Sequence, residues 1–222
     1  MKQSEFDERI KLEYKTIPLN SEIAFDGILD EEEFANQEVK LLWILKESYG
    51  EAIEFENRVN LLTDEKYLTF PTWKSIIEVS YAIINNLQNF DENISINEKQ
   101  NVLKKIAFMN IKKNPGESVS VNKEIENHFS LNSTLLVDQI NFINPDIIIA
   151  GNTLHHFINK NAFDLTWDED TSYEDFGVWY RYKQNKLFIE GMHPSIVDYT
   201  NDKGLKILNT INHFNPQMKN KN

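Results

Sequence analysis

Three polar segments could carry chemistry, and each follows a run of apolar residues. Glu47 and Ser48 follow the first run, where a carboxylate could orient or deprotonate a water molecule. Asn110 ends the second run, and its amide offers a hydrogen-bond donor and an acceptor together. His193 lies on the third segment, residues 191–195, where an imidazole could donate to an oxygen that gains negative charge.

Each of these residues also has a structural interpretation, which the sequence leaves open. Glu47 could pair with Lys46 or cap the next segment, and Asn110 could cap a turn. His193 could bond only to nearby backbone groups. The residue types therefore define candidates, and the elements that carry them must decide whether they meet.

Metal and cofactor chemistry has little support in the sequence. The chain has no cysteine, which excludes disulfides, thiolate-bound metals and cysteine-ligated iron–sulfur clusters. His155 and His156 are adjacent and lack the spacing of metal ligands, so we interpret them as surface or packing residues. The glycine-rich phosphate loops of nucleotide enzymes are also missing. We expect no metal and no cofactor.

Apolar periodicity predicts the elements that must position these segments. Continuous, branched apolar runs are typical of buried parallel strands. Such strands are predicted at residues 39–45, 105–111 and 146–150. A hairpin is predicted over residues 178–190, around Gln184-Asn185. Helices are predicted at residues 72–87, with Thr72 as the N-cap, and at 133–143, 153–159 and 202–214.

Strands that alternate with helices predict a mostly parallel sheet covered on both faces, in one domain of 222 residues. Residues 1–37 should add one or two helical turns at its edge, residues 112–116 should form a loop, and residues 216–222 should fray. Ligands of such sheets bind beyond the carboxyl ends of the strands. Glu47, Asn110 and His193 are therefore predicted to share one pocket.

The balance of charge limits the partners. The chain has 35 Asp plus Glu against 23 Lys plus Arg, a formal net charge of −12. Because tight non-specific duplex binding depends on clustered cations, we expect any DNA binding to be weak. No apolar run approaches the ~20 residues of a membrane span, and the charged start does not resemble a signal peptide. We expect a cytoplasmic monomer that has no membrane partner.

In chain order, these segments resemble the signature of the uracil-DNA glycosylase superfamily. Residues 44–50, ILKESYG, are similar to a first motif that reads GQDPY or GEAPG in other branches, with Lys46 in place of glycine and Tyr49 in place of proline. Asn110 matches the base-reading asparagine, residues 144–151 match a PxxIxxxG strand, and residues 192–195 match an HPS motif. The similarity covers about residues 39–214. The lack of cysteine excludes the iron–sulfur branches of the superfamily.

The resemblance implies a three-layer α/β/α sandwich with a central, mainly parallel four-stranded sheet. It also implies flipping and hydrolysis of an altered pyrimidine, such as uracil, from single-stranded or mismatched DNA. The alternative is a non-catalytic member of the fold that binds a nucleotide or a protein. The implied roles are water placement by Glu47 with Ser48, charge stabilisation by His193, base reading by Asn110, base stacking by Phe70, Trp73 or Tyr49, phosphate contacts from Ser195, Lys112 and Lys113, and a wedge at Ile196.

Overall fold

The structure is a computed structural model that describes residues 1–49, 62–91, 93–117, 119–167, 177–196 and 199–219, with the backbone alone for Tyr49 and for 215–219. The strands are β1 (Gly27–Ile28), β2 (Leu41–Tyr49), β3 (Ala107–Gly116), β4 (Ile147–Gly151), β5 (Trp179–Lys183) and β6 (Lys186–Gly191). The α-helices are α1 (Gln3–Glu13), α2 (Glu31–Ala35), α3 (Glu65–Leu68), α4 (Pro71–Ile84), α5 (Ile96–Lys104), α6 (Asn122–Ile143), α7 (Leu154–Asn159) and α8 (Leu205–Lys219). A 3₁₀ turn (Ala162–Asp164) follows α7, and a π-helical turn (Thr200–Gly204) precedes α8.

The strands form one mixed sheet in the order β1-β3-β2-β4-β6-β5. Strands β3, β2, β4 and β6 run parallel to one another, whereas β1 and β5 pair antiparallel at the two edges. The α/β class and the three adjacent parallel strands β3, β2 and β4 are confirmed. The sheet has six strands where four were expected, because the N-terminal segment and the hairpin each add an antiparallel edge strand.

The predicted hairpin is confirmed as the pair β5 and β6. Its two turn residues, Gln184 and Asn185, have φ of 51° and 59°. Positive φ at both central positions defines the type I′ turn, whose twist matches that of the flanking strands. The local sequence therefore sets this edge of the sheet.

Alternate residues of each interior strand face opposite layers of helices. On β2, Leu41 and Trp43 face a core built with helices α4, α5 and α8, and the Trp43 indole donates to Ser80 Oγ at 3.0 Å. Leu42 and Ile44 face a second core, built with α6 and α7. Burial on both faces explains why these strands read as continuous apolar runs. None of the helices within the described ranges is long and apolar enough to cross a membrane.

The N-terminal segment is more structured than the predicted one or two helical turns. Helix α1 has 11 residues, and it buries Phe6 and Ile10 against Leu135 of α6. Residues 24–28 then follow the edge of β3: the Ala24 amide donates to the carbonyl of Lys113 at 2.7 Å, and β1 pairs with the start of β3. Apolar residues are sparse in α1, so the sequence signal for this helix is weak.

Residues 112–116 continue β3 and do not form the predicted loop. Strand β2 extends to Tyr49, so it supplies partners for these residues, with a register shift between Glu47 and Tyr49. A proline is tolerated at such an irregularity because its missing N–H leaves no ladder bond unmade. The residues that predicted a loop, Asn114, Pro115 and Gly116, therefore lie at a β-bulge between β2 and β3.

Helix boundaries differ from the predicted ones in three places. Helix α6 begins at Asn122, well before residue 133. It ends at Ile143, with Asn144 as the C-cap in the left-handed conformation, as the following proline predicts. The N-cap of α4 is Phe70 and not Thr72, because Pro71 occupies the first helical position, where no N–H is needed. Helix α8 continues through Lys219, past the predicted start of a frayed tail.

Candidate functional site

The carboxyl ends of the four parallel strands form one rim of the sheet. At this rim, the segments that follow two adjacent strands, β2 and β4, pass to opposite faces of the sheet. The chain passes from β2 to helices on one face, whereas the neighbouring β4 leads to α7 on the other face. Such a divergence opens a crevice beyond the strand ends, where ligands of open α/β sheets bind. Lys46 lies in the last part of β2, Asn152 follows β4, and His193 follows β6.

The loop that carries His193 is held closely against the end of β4. The Asn152 amide donates to the carbonyl of Gly191 at 2.8 Å. A Cβ placed on Gly151 would lie 3.1 Å from Pro194 Cδ and 3.6 Å from His193 Cα. Glycine at this position therefore allows the loop to approach the sheet, which fixes the backbone of His193.

His193 is a neutral hydrogen-bond donor at pH 7. The backbone N–H of Ser195 donates to His193 Nδ1 at 3.3 Å, and Ser195 Oγ lies 2.9 Å from the same atom. Nδ1 is therefore an acceptor, and the ring proton is on Nε2. Burial, followed by the nearby charge of Lys46, lowers the pKa of His193 to about 4. A neutral imidazole with a fixed Nε2–H suits charge stabilisation.

Lys46 lies between the His193 loop and a shallow cavity on the rim. Its ammonium donates to Asn122 Oδ1 at 3.0 Å, and Asn122 lines this cavity of about 350 Å³ together with Asn152, His155 and His156. Burial is the main cause that lowers the pKa of His156 to about 4, and the charges of His155 and Lys46 add to it. Histidine and asparagine side chains, together with the exposed carboxylate of Glu126, thus line this cavity.

The sequence interpretation of the histidine pair is partly right. His156 packs, because its ring stacks on Phe129 with centroids 5.4 Å apart. His155 is partly exposed, and its Nδ1 lies 3.6 Å from Glu190 Oε1. Sequence analysis missed both as cavity-lining residues, although their position directly after β4 places them at the rim by the strand-end rule.

Glu47 lies on a different part of the rim, in a larger cleft of about 610 Å³. Its Oε2 accepts from Lys112 Nζ at 2.7 Å, and Lys112 also donates to Glu124 at 3.1 Å. Burial lowers the pKa of Lys112, but the hydrogen bonds to Glu47 and Glu124 outweigh it and raise the pKa overall. Neither Asn110 nor His193 lines this cleft. The expected partner of Glu47, Lys46, is replaced by Lys112.

Asn110 is buried beneath the N-terminal segment, with 5% of its surface exposed. Its backbone N–H donates to Asp26 Oδ2 at 2.6 Å, and its side-chain Nδ2 reaches the same oxygen at 3.3 Å. The donor needed for bidentate reading of a base is therefore occupied, and only Oδ1 lacks a partner. Asn110 lies within β3 because that strand continues past it, so it does not share a pocket with His193.

Lys112 and Lys113, which were predicted to contact phosphate, are both bonded to carboxylates in the structure. Lys112 is committed to two glutamates, as described above. Lys113 is 1% exposed and donates to both oxygens of Asp26, at 2.8 and 2.9 Å, and to Gln139 at 2.7 Å. A buried ammonium that is fully paired cannot reach a phosphate without unpairing a buried carboxylate, at a high cost in free energy. Sequence analysis missed Asp26, which has no local sequence signal.

The remaining predicted residues are distributed along the rim and the core. Trp73 packs edge-to-face on Phe108 in the core, with centroids 5.0 Å apart, so it does not form a pocket wall. Phe70 is 41% exposed and contacts Tyr67. Ile196, beside Ser195, is also exposed, as a wedge would require. Ser48 Oγ is buried without a hydrogen-bond partner. Gly50 and the side chain of Tyr49 lie outside the described part.

No protein-family model and no curated protein sequence matches the chain.

Proposed function

We propose that the rim at His193 binds a pyrimidine base and that the protein hydrolyses the N-glycosidic bond of an altered pyrimidine, such as uracil, in single-stranded DNA. The observation that carries the proposal is the neutral imidazole of His193, whose Nε2–H has no partner within the described residues. The order of motifs that resembles the uracil-DNA glycosylase superfamily supports the same conclusion.

The reaction needs a group that stabilises the leaving base. When the bond between C1′ and the base nitrogen breaks, its electron pair remains on the base, and negative charge spreads to the carbonyl oxygens of the base. Water then adds its hydroxyl to C1′, and its proton is transferred to the base. A preorganised donor aimed at such an oxygen typically contributes about 10²–10³ in rate. His193 supplies this donor without an added positive charge, and Lys46 supplies a cation nearby.

Water activation by Glu47 has a weaker basis, because this carboxylate is bound to Lys112 on the other part of the rim. The proposal therefore assigns most of the rate enhancement to charge stabilisation at His193. Glu47→Gln should then slow excision by less than about tenfold. A loss as large as that of His193→Ala would show that Glu47 activates the water.

A second function, non-catalytic binding of a nucleotide by the same rim, is favoured by one specific observation. Two of the three groups implied in chemistry, Glu47 and Asn110, are occupied by Lys112 and Asp26. Without those two groups, the site keeps His193, Lys46 and the asparagine side chains as donors for a base or a phosphate.

The deciding experiment is single-turnover incubation with a single-stranded uracil oligonucleotide, followed by alkaline cleavage of abasic sites. His193→Ala should slow excision about 10²–10³-fold while it weakens DNA binding far less, because the donor acts on charge that develops in the transition state. His213→Ala, which removes an exposed histidine on α8, is the matched control.

Two outcomes would contradict the proposal. Wild-type protein that binds uridine monophosphate but forms no abasic product supports the second function. Equal excision rates for wild type and His193→Ala would exclude His193 as the stabilising group.

A further inference from the structure

The larger cleft, which contains Glu47, is separate from the His193 rim and is lined by several acidic side chains. It lies beside the ends of β2 and β3, and residues 17–22 and the start of α6 form its walls. Among the described residues, its lining carries four carboxylates, Glu22, Glu47, Glu117 and Glu124, against one ammonium, that of Lys112. His128 also lines the cleft, but burial lowers its pKa, so it adds no charge at pH 7. The described part of the lining therefore carries a net negative charge.

Two of these carboxylates are available to a ligand. Lys112 neutralises Glu47 and part of Glu124. Glu22 and Glu117 are exposed and form no ion pair within the described residues. An exposed carboxylate at the mouth of a cleft attracts a cation over about 10 Å at moderate salt.

A buried acceptor without a partner points independently to a donor ligand. Asn114 is 4% exposed and lines the cleft. Its Nδ2 donates to the carbonyl of Glu22 at 2.8 Å, whereas its Oδ1 has no hydrogen-bond partner among the described residues. A buried acceptor that stays unpaired costs free energy, so such groups normally have a partner. A ligand that carries several N–H donors and no acceptor satisfies both this amide oxygen and the carboxylates.

The edge of the cleft is apolar, which favours a ligand that has an aliphatic part. Ile17, Val119 and Val121 line it and are all exposed, which is unusual for large aliphatic side chains grouped in one place. They provide a surface for the aliphatic part of a ligand. A bare metal ion does not fit, because no group of three His, Cys, Asp or Glu residues in the described ranges is arranged to hold one.

We propose that this cleft binds an ammonium or guanidinium group carried on an aliphatic chain, with the cation between Asn114, Glu22 and Glu117 and the chain against the apolar edge. The site is independent of base binding at His193. The cation belongs either to a free polyamine-like molecule or to a Lys or Arg side chain of another protein. The chemistry of recognition is the same in both cases.

The test is calorimetric titration of the full chain with agmatine, an aliphatic guanidinium, and with the neutral and anionic probes hexanol and hexanoate. Agmatine should bind with a saturable isotherm that weakens as salt is raised, and the other two should not bind. Glu22→Gln with Glu117→Gln should weaken agmatine binding at least about tenfold. The matched control, Glu32→Gln with Glu33→Gln on α2, makes the same change of charge away from the cleft and should alter it less than about twofold.

A blocked Val-Arg dipeptide distinguishes the two sources. Tighter binding of the dipeptide than of agmatine indicates a protein segment as the ligand, and tighter binding of agmatine indicates a free amine. The proposal is overturned by equal binding of hexanol or hexanoate, by equal affinity in the Glu22/Glu117 variant, or by the lack of saturable binding of both cations at about 10 mM.

Discussion

At the scale of single residues, the position of the Glu47 carboxylate depends on a glycine, Gly116, on the neighbouring strand β3. A Cβ placed on Gly116 would lie 2.0 Å from Glu47 Oε2 and 2.1 Å from its Cδ. The carboxylate therefore occupies the space that any other residue at position 116 would fill. The hydrogen bond from Lys112 holds the carboxylate in this position. A residue whose motif predicts a catalytic role therefore takes part in an ion pair between two strands.

Gly116→Ala should displace the Glu47 carboxylate and break its bond to Lys112. We expect a loss of about 1–3 kcal/mol in the free energy of unfolding, as for other overpacked sites. Urea denaturation of the purified variant measures this loss. In a Glu47→Ala background the clash is removed, so the same glycine change should cost much less. Equal losses in both backgrounds would show that the two residues do not interact.

At the scale of elements, a buried ion pair fastens the N-terminal segment to the sheet. Asp26 precedes β1, Lys113 belongs to β3 and Gln139 to α6, and all three are almost fully buried. Lys113 donates to Asp26 and Gln139, and the Gln139 amide donates to Asp26 Oδ1 at 2.8 Å. Three elements that are distant in the chain thus share one polar network, which requires a unique arrangement of the segment.

Lys113→Met should destabilise the protein by about 3–5 kcal/mol, because it leaves the Asp26 carboxylate buried without its cation. The double variant Asp26→Asn with Lys113→Met should lose less than the single variant, since both charges are removed. Lys123→Met, a change of an exposed lysine on α6, is the control and should have an effect within about 0.5 kcal/mol. Chemical denaturation measures all three. A double variant that is less stable than Lys113→Met would contradict this explanation.

At the scale of the whole molecule, the net charge of −12 coexists with a rim of neutral histidines. Burial lowers the pKa of His156 and His193 to about 4 each, with a further contribution from Lys46 in both cases. Burial also lowers the pKa of His128. These side chains are neutral in the folded protein at pH 7, and they must gain charge when it unfolds in mild acid.

Stability should therefore fall as the pH is lowered from about 6.5 to about 4. In this window the unfolded chain, with histidine pKa values near 6.5, binds more protons than the folded chain. Each of these histidines contributes a slope of up to about 1.4 kcal/mol per pH unit. Urea denaturation at pH 7, 6 and 5 tests this. His156→Gln with His193→Gln should flatten the dependence, whereas His213→Gln should retain it. An unchanged slope in the double variant would exclude these two histidines as its source.

Local sequence determined the elements that form the framework. The apolar runs of β2, β3 and β4 and the positive-φ residues of the β5–β6 turn depend on neighbours in the chain, so their positions could be predicted. The same applies to the rim, because parallel strands bring the segments after them to one edge. The position of His193 at that edge follows from this rule, and its pairing with Ser195 is also local.

The tertiary structure alone decided which polar side chains remain available at the rim. The partner of Glu47 is 65 residues away along the chain, and that of Lys113 is 87 residues away. Periodicity reports which face of an element is buried, but it does not report which charges meet across elements. Asp26 has no signal in the sequence, and Lys113 was predicted to contact phosphate. They are buried together because an unpaired buried charge is so costly that each requires the other.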